Sequence, residues 1–224
     1  MQGHFISLES TEGAGKGTVA PFVCDCLRFS GLDVVHTREV GGTPMAEMQR
    51  EAMLHRLDYN ISALEESLMA MAGRFNHLRT LIVPALSAGR TVVTERFMDS
   101  TYVYQGIAGG VPRSHLDMLT ELSYFEMPSL TILLDIEPEV GFARASLSAR
   151  QLDRIESRPI EFFHKVSQGY RHLVREDKVG RWEVVDATPS LPHVFRQIIG
   201  VLYNRSMMTQ EAIKLIKGKY DVAT

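Results

Sequence analysis

The residues best able to do chemistry begin nine positions into the chain, in the run ESTEGAGKGT (9–18). Gly13, Ala14 and Gly15 are small enough for successive backbone N–H groups to turn toward one anion, and Lys16 adds a point charge beside them. The run follows an apolar stretch, HFISLE, and precedes a helical pattern, the context in which a glycine turn cradles phosphate oxygens. Against the pattern G-x-x-x-x-G-K-[ST] it departs twice, with Ser10 in place of the first glycine and Gly17 in place of the hydroxyl residue. Ser10 is small and can serve where the backbone is ordinary, and Thr18, next to Gly17, still offers a hydroxyl to magnesium. A chance glycine turn with an exposed lysine is the competing reading of these letters.

Two further groups of charge stand out. Glu95 and Arg96 close a β-rich run, where an acid and a guanidinium can face a ligand or simply pair with each other. Arg144, Arg150, Arg154 and Arg158 crowd into fifteen residues interrupted by SLSARQ, which has the character of a closing lid; solvated helix charges are the plain alternative. Metal chemistry built on thiols or imidazoles has no support. Cys24 and Cys26 form a C-x-C pair whose side chains point to different helix faces, and the 8 histidines show no ligand spacing.

These groups need a scaffold, and the chain supplies one. Short runs rich in Val, Ile and Leu at 4–9, 33–37, 91–95, 130–136 and 181–186 predict strands, and their continuous apolar character is that of strands buried on both faces. Helical patterns at 16–30, 44–56, 61–88, 113–125, 138–148, 157–176 and 190–204 alternate with them, which predicts crossover units feeding a five-stranded parallel sheet in a three-layer α/β/α sandwich. The longest pattern carries Ile61, Leu64, Leu68, Met71, Phe75, Leu78 and Ile82 in steps of three and four, a stripe for a core or a subunit contact. Pro84 predicts a kink or a tightened turn near its end. The last residues predict a short appended helix with a loose end.

Composition sets outer limits. With 224 residues, 45% apolar and 23% charged, the chain is that of one soluble globular domain. Its formal net charge of −3 gives no reason to expect a nucleic-acid or membrane surface. No apolar run approaches the ~20 residues of a membrane span. The strand at the start of the chain leaves no targeting segment, so a cytoplasmic protein is expected.

Six ordered blocks then narrow the reading: TREVGGT (37–43), AGRFNH (72–77), ERFMDSTYVYQG (95–106), LLDIEPEVGFAR (133–144), LDRIE (152–156) and VVDATPSL (184–191). With the glycine run they resemble the thymidylate kinase family over about residues 3 to 203; adenylate kinases share the G-K-G-T variant at the loop. The resemblance implies a P-loop NTPase fold, with residues 1–204 as one nucleoside monophosphate kinase domain, its lid at about 144–158, and residues 205–224 as a helical extension. It implies magnesium-dependent transfer of the ATP γ-phosphoryl to dTMP, in a homodimer paired through long helices. Gly13, Ala14, Gly15, Lys16, Gly17 and Thr18 would hold the ATP phosphates, with Thr18 and Glu95 serving magnesium. Lys16, Arg96, Arg144, Arg150 and Arg154 would be the catalytic cations, and Arg150 or Arg144 would reach the transferred phosphoryl, as in bacterial members whose loop carries glycine at position 13. The acceptor would be met by Glu12, Arg38, Glu39, Arg50, Arg74, Arg96, Thr101, Tyr104 and Gln105; for Glu39 and Arg50 a surface role is an equal alternative.

One departure bears on the base. The family usually places a phenylalanine where this chain has Ala70, so stacking is lost unless Met69, Met71 or Phe97 fills the space. The alternatives are therefore a kinase for another or a 5-modified deoxynucleoside monophosphate, or a nucleotide-binding protein without kinase turnover. Val40 for proline in TREVGGT loosens that turn without removing a functional group.

Overall fold

The computed structural model describes residues 3–55, 60–122, 127–146 and 152–222. Five strands form one sheet, β1 (Phe5–Ser10), β2 (Val34–Arg38), β3 (Thr91–Glu95), β4 (Leu130–Asp135) and β5 (Trp182–Asp186), in the order β2-β3-β1-β4-β5. Every pairing is parallel. The five expected strands are all present, and helices cover both faces of the sheet as the three-layer reading requires. The central strand FISLES is buried at all six positions, whereas the edge strands β2 and β5 each expose part of their length. Strands flanked on both edges and roofed on both faces have no reason to alternate.

Parallel strands all finish at one rim, and in open α/β sheets that rim is where ligands bind, at the point where strand order reverses. Here the reversal falls between β1 and its two neighbours: Leu8 lies opposite Glu95, and Ser10 opposite Leu134. The glycine run therefore leaves the sheet beside the Glu95–Arg96 pair, although 77 residues or more separate them in sequence.

Helix α1 (Lys16–Phe29) is enclosed by β1, β2 and β3 on one side and by α9 (Leu191–Asn204) and α10 (Gln210–Tyr220) on the other. Cys24 and Cys26 do point to different faces, yet both are fully buried as free thiols because both faces are covered. The end of the chain is packed rather than loose up to residue 222. Ala212 and Ile216 of α10 join the main core, Tyr220 sets its edge against the stacked rings of Phe22 and Phe195, and Lys219 and Tyr220 both donate to Asp25 of α1, at 2.5 and 2.7 Å.

The long third helical segment runs as α3 (Ala63–His77), a π-helical turn (Leu78–Ile82) and α4 (Val83–Ser87). The capping box of Ser62 and Glu65 starts it. Pro84 stands in the first turn of α4, so the turn before it is widened instead of the last one tightened. The apolar stripe divides: Met71, Leu78 and Ile82 enter the core, while Leu64, Leu68 and Phe75 stay exposed. α2 (Pro44–Arg50) continues into a π turn over Glu51–His55, and α6 (Arg113–Glu121), α7 (Pro138–Ser146) and α8 (Ile160–Arg175) complete the layers. Residues 56, 123–125 and 147–148 of the expected helices lie outside the described residues.

One helix went unforeseen: α5 (Met98–Thr101), extended by a π-helix over Tyr102–Ala108. Its run MDSTYVYQGIA mixes hydroxyl, aromatic and β-branched residues of modest helix propensity with no one-sided stripe. Tyr102, Val103, Tyr104 and Gln105 are all buried, so tertiary packing and not amphipathicity holds it helical. Among the described residues no helix is long and apolar enough to cross a membrane.

Candidate active site

The glycine run turns where expected. Ser10 is the last residue of β1, in the extended backbone that lets serine replace glycine. Gly13 and Gly15 sit at φ 73° and 86°, in the left-handed region. Gly15 is the N-cap of α1 without any side-chain cap, leaving first-turn N–H groups for an anion. Gly13 is also packed: a Cβ there would lie 1.9 Å from the carbonyl oxygen of Gly141 on α7, and a Cβ on Gly141 would lie 2.3 Å from that of Glu12. The two glycines let the loop and α7 touch backbone to backbone, so an arginine at position 13 would have no room. Lys16 Nζ donates to Ser10 Oγ at 3.0 Å, a contact that glycine at position 10 could not make. Burial, with Arg96 adding repulsion, pushes the Lys16 ammonium down to about 8 against the opposing pull of Glu12, Glu95 and Glu9.

At the end of β3, Glu95 pairs with His36 Nε2 at 3.2 Å. Burial raises its carboxyl, but the His36 hydrogen bond together with Lys16 and Arg96 outweighs this, and the net shift is downward. Arg96 follows at φ 65°, a backbone region that residues with a side chain rarely occupy. That conformation folds its guanidinium back over the end of β1. Nη2 pairs with Glu12 at 2.6 Å, Nη1 donates to Ser10 O at 2.9 Å, and the guanidinium lies 4.7 Å from the centroid of the Tyr104 ring. Tyr104 OH in turn donates to Glu12 at 3.1 Å.

Arg74 and His77 are one helical turn apart on α3, which explains the spacing of AGRFNH: both reach the single carboxylate of Glu39. Arg74 Nε meets Oε2 at 2.6 Å and His77 Nδ1 meets Oε1 at 3.1 Å, while His77 Nε2 lies 2.7 Å from Thr37 Oγ1. Nδ1–H donating and Nε2 accepting is the tautomer that serves both contacts. The remaining Arg74 nitrogens donate to Thr101 Oγ1 at 3.1 Å and to the sulfurs of Met71 and Met98 at 3.0 Å. Glu39 is buried, so its surface alternative is excluded. Arg50 donates to Val40 O at 2.8 Å, and Arg38 is held by Glu47 at 3.0 Å.

The loop and the charged groups at Arg38, Glu39, Arg50, Arg74, Glu95 and Arg96 line one cleft of about 490 Å³. It runs from Thr11–Gly17 past Glu95 and Arg96 to Arg38, Glu39, Arg50, Ala70, Arg74, Thr101, Tyr104 and Gln105. Phe97 is the only one of the three residues considered as a substitute for the missing ring that lines it; Met71 is in the core beneath, and Met69 packs elsewhere. Thr18 is one residue beyond the lining, exposed on the first turn of α1. Among the described residues no cluster of three or more His, Cys, Asp or Glu could hold a metal by itself.

The lid arginines are placed differently from the others. Arg144 donates to the carbonyls of Ala187 and Thr188 at 2.7 and 2.6 Å and does not line the cleft. Arg154 donates to Met53 O at 2.8 Å and pairs with Glu66 at 2.7 Å; Arg158 meets the same Glu66 oxygen, and Gln105 donates to the other at 2.9 Å. Arg150 lies outside the described residues. Glu66, fully buried on α3, was missed by the sequence reading, as were Glu9, Met53, Leu54, Asp153 and Glu156 beside the cleft. The available signal was a carboxylate inside an apolar run, in ALEESLMAMA and in FISLES.

A parallel sheet of this order, with a glycine loop leading into α1 and a second set of cations across the same cleft, defines a P-loop NTPase built to hold two nucleotides. The comparisons with known proteins narrow this class. The family model described as thymidylate kinase matches residues 8–198. A thymidylate kinase of Paracidovorax citrulli is 38% identical over 216 residues, covering 92% of this chain and 96% of that one. Those of Pseudomonas putida (strain F1) and Hahella chejuensis are 41% and 43% identical, covering 90% and 86% of this chain and 96% and 92% of their own. The chain belongs to the thymidylate kinase family.

Proposed function

We propose that this chain transfers the γ-phosphoryl of ATP to dTMP, giving ADP and dTDP. The observation that carries this reading is the single cleft: the loop residues Gly13 to Gly17 line one part of it, and Arg96, Arg74 and Thr101 another, so two anions can meet in line. Phosphoryl transfer needs no covalent intermediate; it needs alignment and positive charge where the moving group becomes more negative.

In this reading the loop amides and Lys16 bind the ATP phosphates. Lys16, pushed down to about 8 by burial and by Arg96, regains basicity against phosphate. Arg96 binds the acceptor phosphate, and Glu12, now paired with Arg96, accepts from the 3′-hydroxyl. Arg74, locked by Glu39, donates to the base carbonyl at O4, where a cytosine amine would oppose it; Thr101 and Gln105 address the other edge, and Tyr104 crowds the sugar. Glu95, which lines the cleft, would hold magnesium, which typically takes one or two protein oxygens and completes its shell with water and phosphate; Thr18 stands one residue outside that lining. When bound, the ion neutralises phosphate charge. Arg150 or Arg144 would reach the transferred phosphoryl; the two carbonyls that engage Arg144 favour Arg150 for this role. The exposed Leu64, Leu68 and Phe75 on α3 support pairing of two copies through this helix.

A coupled assay of ADP release against a panel of nucleoside monophosphates tests the reading. Turnover with dTMP, lost by orders of magnitude in Lys16→Ala, is the expected result. Absence of turnover with every monophosphate would leave a binding protein. Preference for 5-hydroxymethyl-dUMP over dTMP would assign the space at Ala70 to a larger 5-substituent.

A further inference from the structure

Glu9 has no part in the chemistry above, yet it is the most connected carboxylate behind the cleft. It is fully buried at the end of β1, one residue before Ser10. Oε1 accepts from the backbone N–H of Phe97 at 2.8 Å and from Ser7 Oγ at 3.3 Å. Oε2 accepts from Ser100 Oγ at 2.6 Å and from Tyr170 OH at 3.0 Å. These two hydroxyl oxygens, from α5 and α8, are each 3.2 Å from Nη1 of Arg96.

The proton count gives the cluster a direction. Each hydroxyl has one proton to donate. When both are given to the carboxylate, both oxygens turn lone pairs toward Arg96; when one is spent between the two hydroxyls, which lie 2.8 Å apart, the other still reaches the carboxylate and Arg96 still donates to both. The left-handed turn that aims Arg96 is pinned by the same group, because the peptide N–H immediately after it ends on Glu9 Oε1, while Arg96 N donates to Leu8 O at 2.9 Å.

We propose that Glu9 is a positioning residue, which through the hydroxyls of Ser100 and Tyr170 and the amide of Phe97 holds Arg96 in the orientation that receives the acceptor phosphate. The inference rests on the assignment of Arg96 to that phosphate. Protonating Glu9 would remove the carboxylate charge that faces Arg96 and would oblige one hydroxyl to accept from it, passing its own proton to the other hydroxyl 2.8 Å away. The charged groups facing Glu9 are Arg96, Asp99 of α5 with its partner Arg181, and Lys16 of α1. Burial and Asp99 raise the Glu9 carboxyl to about 7, against the hydrogen bond of Ser100 and the pull of Arg96 and Tyr170.

Glu9→Gln keeps the shape and reverses one hydrogen bond, since the amide nitrogen donates where the carboxylate accepted. The experiment compares the parent chain with Glu9→Gln, Ser100→Ala and Tyr170→Phe, measuring KM for dTMP and for ATP from pH 5.5 to 8.5 and dTMP binding by calorimetry. The expected result is a KM for dTMP raised about tenfold or more in Glu9→Gln, with KM for ATP within about twofold of the parent. Ser100→Ala and Tyr170→Phe shift it the same way by less. The parent loses kcat/KM for dTMP as pH falls through about 7, and Glu9→Gln lacks that limb. An unchanged KM for dTMP, an equal rise for both substrates, or an acid limb in Glu9→Gln that stays at about 7 rather than moving to the roughly 6 of the dTMP phosphate itself overturns the inference. If Glu9→Gln does not fold, Tyr170→Phe decides by the same split between the two KM values. A parent that binds dTMP without turning it over overturns the proposed function alone, because the calorimetric constants of the variants still decide the role of Glu9; a parent that does not bind dTMP overturns both.

Discussion

Replacing Glu39 by Gln tests whether Arg74 is held by charge or by packing. Arg74 and Glu39 are each only 4% exposed in their side chains and meet at 2.6 Å, and His77 uses the second carboxylate oxygen. Glutamine fills the same space but turns a donor toward one of two donors and leaves the guanidinium without a counter-charge. Removing one partner of a buried ion pair costs roughly 3–5 kcal/mol. The lower end applies here because the pair lines the cleft, where water can reach the freed guanidinium; the sulfurs of Met71 and Met98 are too weak as acceptors to replace a carboxylate. For a chain of this length each kcal/mol moves the melting midpoint by roughly 2–4 °C, so a fall of about 6–12 °C is expected. Thermal unfolding followed by circular dichroism measures it. Adding Arg74→Met to Glu39→Gln removes the stranded charge, so the double variant should melt above Glu39→Gln while binding dTMP no better. A midpoint within about 2 °C of the parent, or a double variant showing the plain sum of the two single losses, would refute the argument.

Other consequences are separately measurable. Because burial pushes the Lys16 ammonium down to about 8 and the proposed transfer uses it as a cation, kcat/KM for ATP should fall as pH rises through 8, whereas kcat should hold to higher pH since bound phosphates favour the ammonium; coincident limbs would contradict this. Ala70→Phe places a ring at the cleft wall, and stacking at roughly 1–3 kcal/mol predicts a KM for dTMP lower by about five- to 150-fold; an unchanged or higher KM would mean Phe97 already occupies that face. Cys24, whose thiol burial pushes up to about 11, and Cys26, raised further for the same reason, should resist a thiol reagent in the native chain and react once residues 209–224 are removed. Equal protection in the shortened chain would show that α10 does not seal α1.

Much of this protein was written locally. The five strands are visible because they are buried on both faces and so lack polar interruptions, and the glycine turn is visible because left-handed backbone at Gly13 and Gly15 demands that residue type. The R-x-x-H spacing of Arg74 and His77 places them on one helix face whatever lies opposite. What faces them is a different matter: Glu39 could equally be read as surface, and only the pairing of β2 with β3 and the packing of α3 make it the buried counter-charge of both. The lid arginines show the same limit. Arg144, Arg154 and Arg158 have one charge and similar spacing, but the fold commits the first to the carbonyls of Ala187 and Thr188 and the other two to Glu66. Backbone conformation and burial leave marks within a few residues of sequence, whereas the partner of a charge is chosen by contacts between elements 35 to 92 residues apart, and those exist only once the sheet has set its strand order.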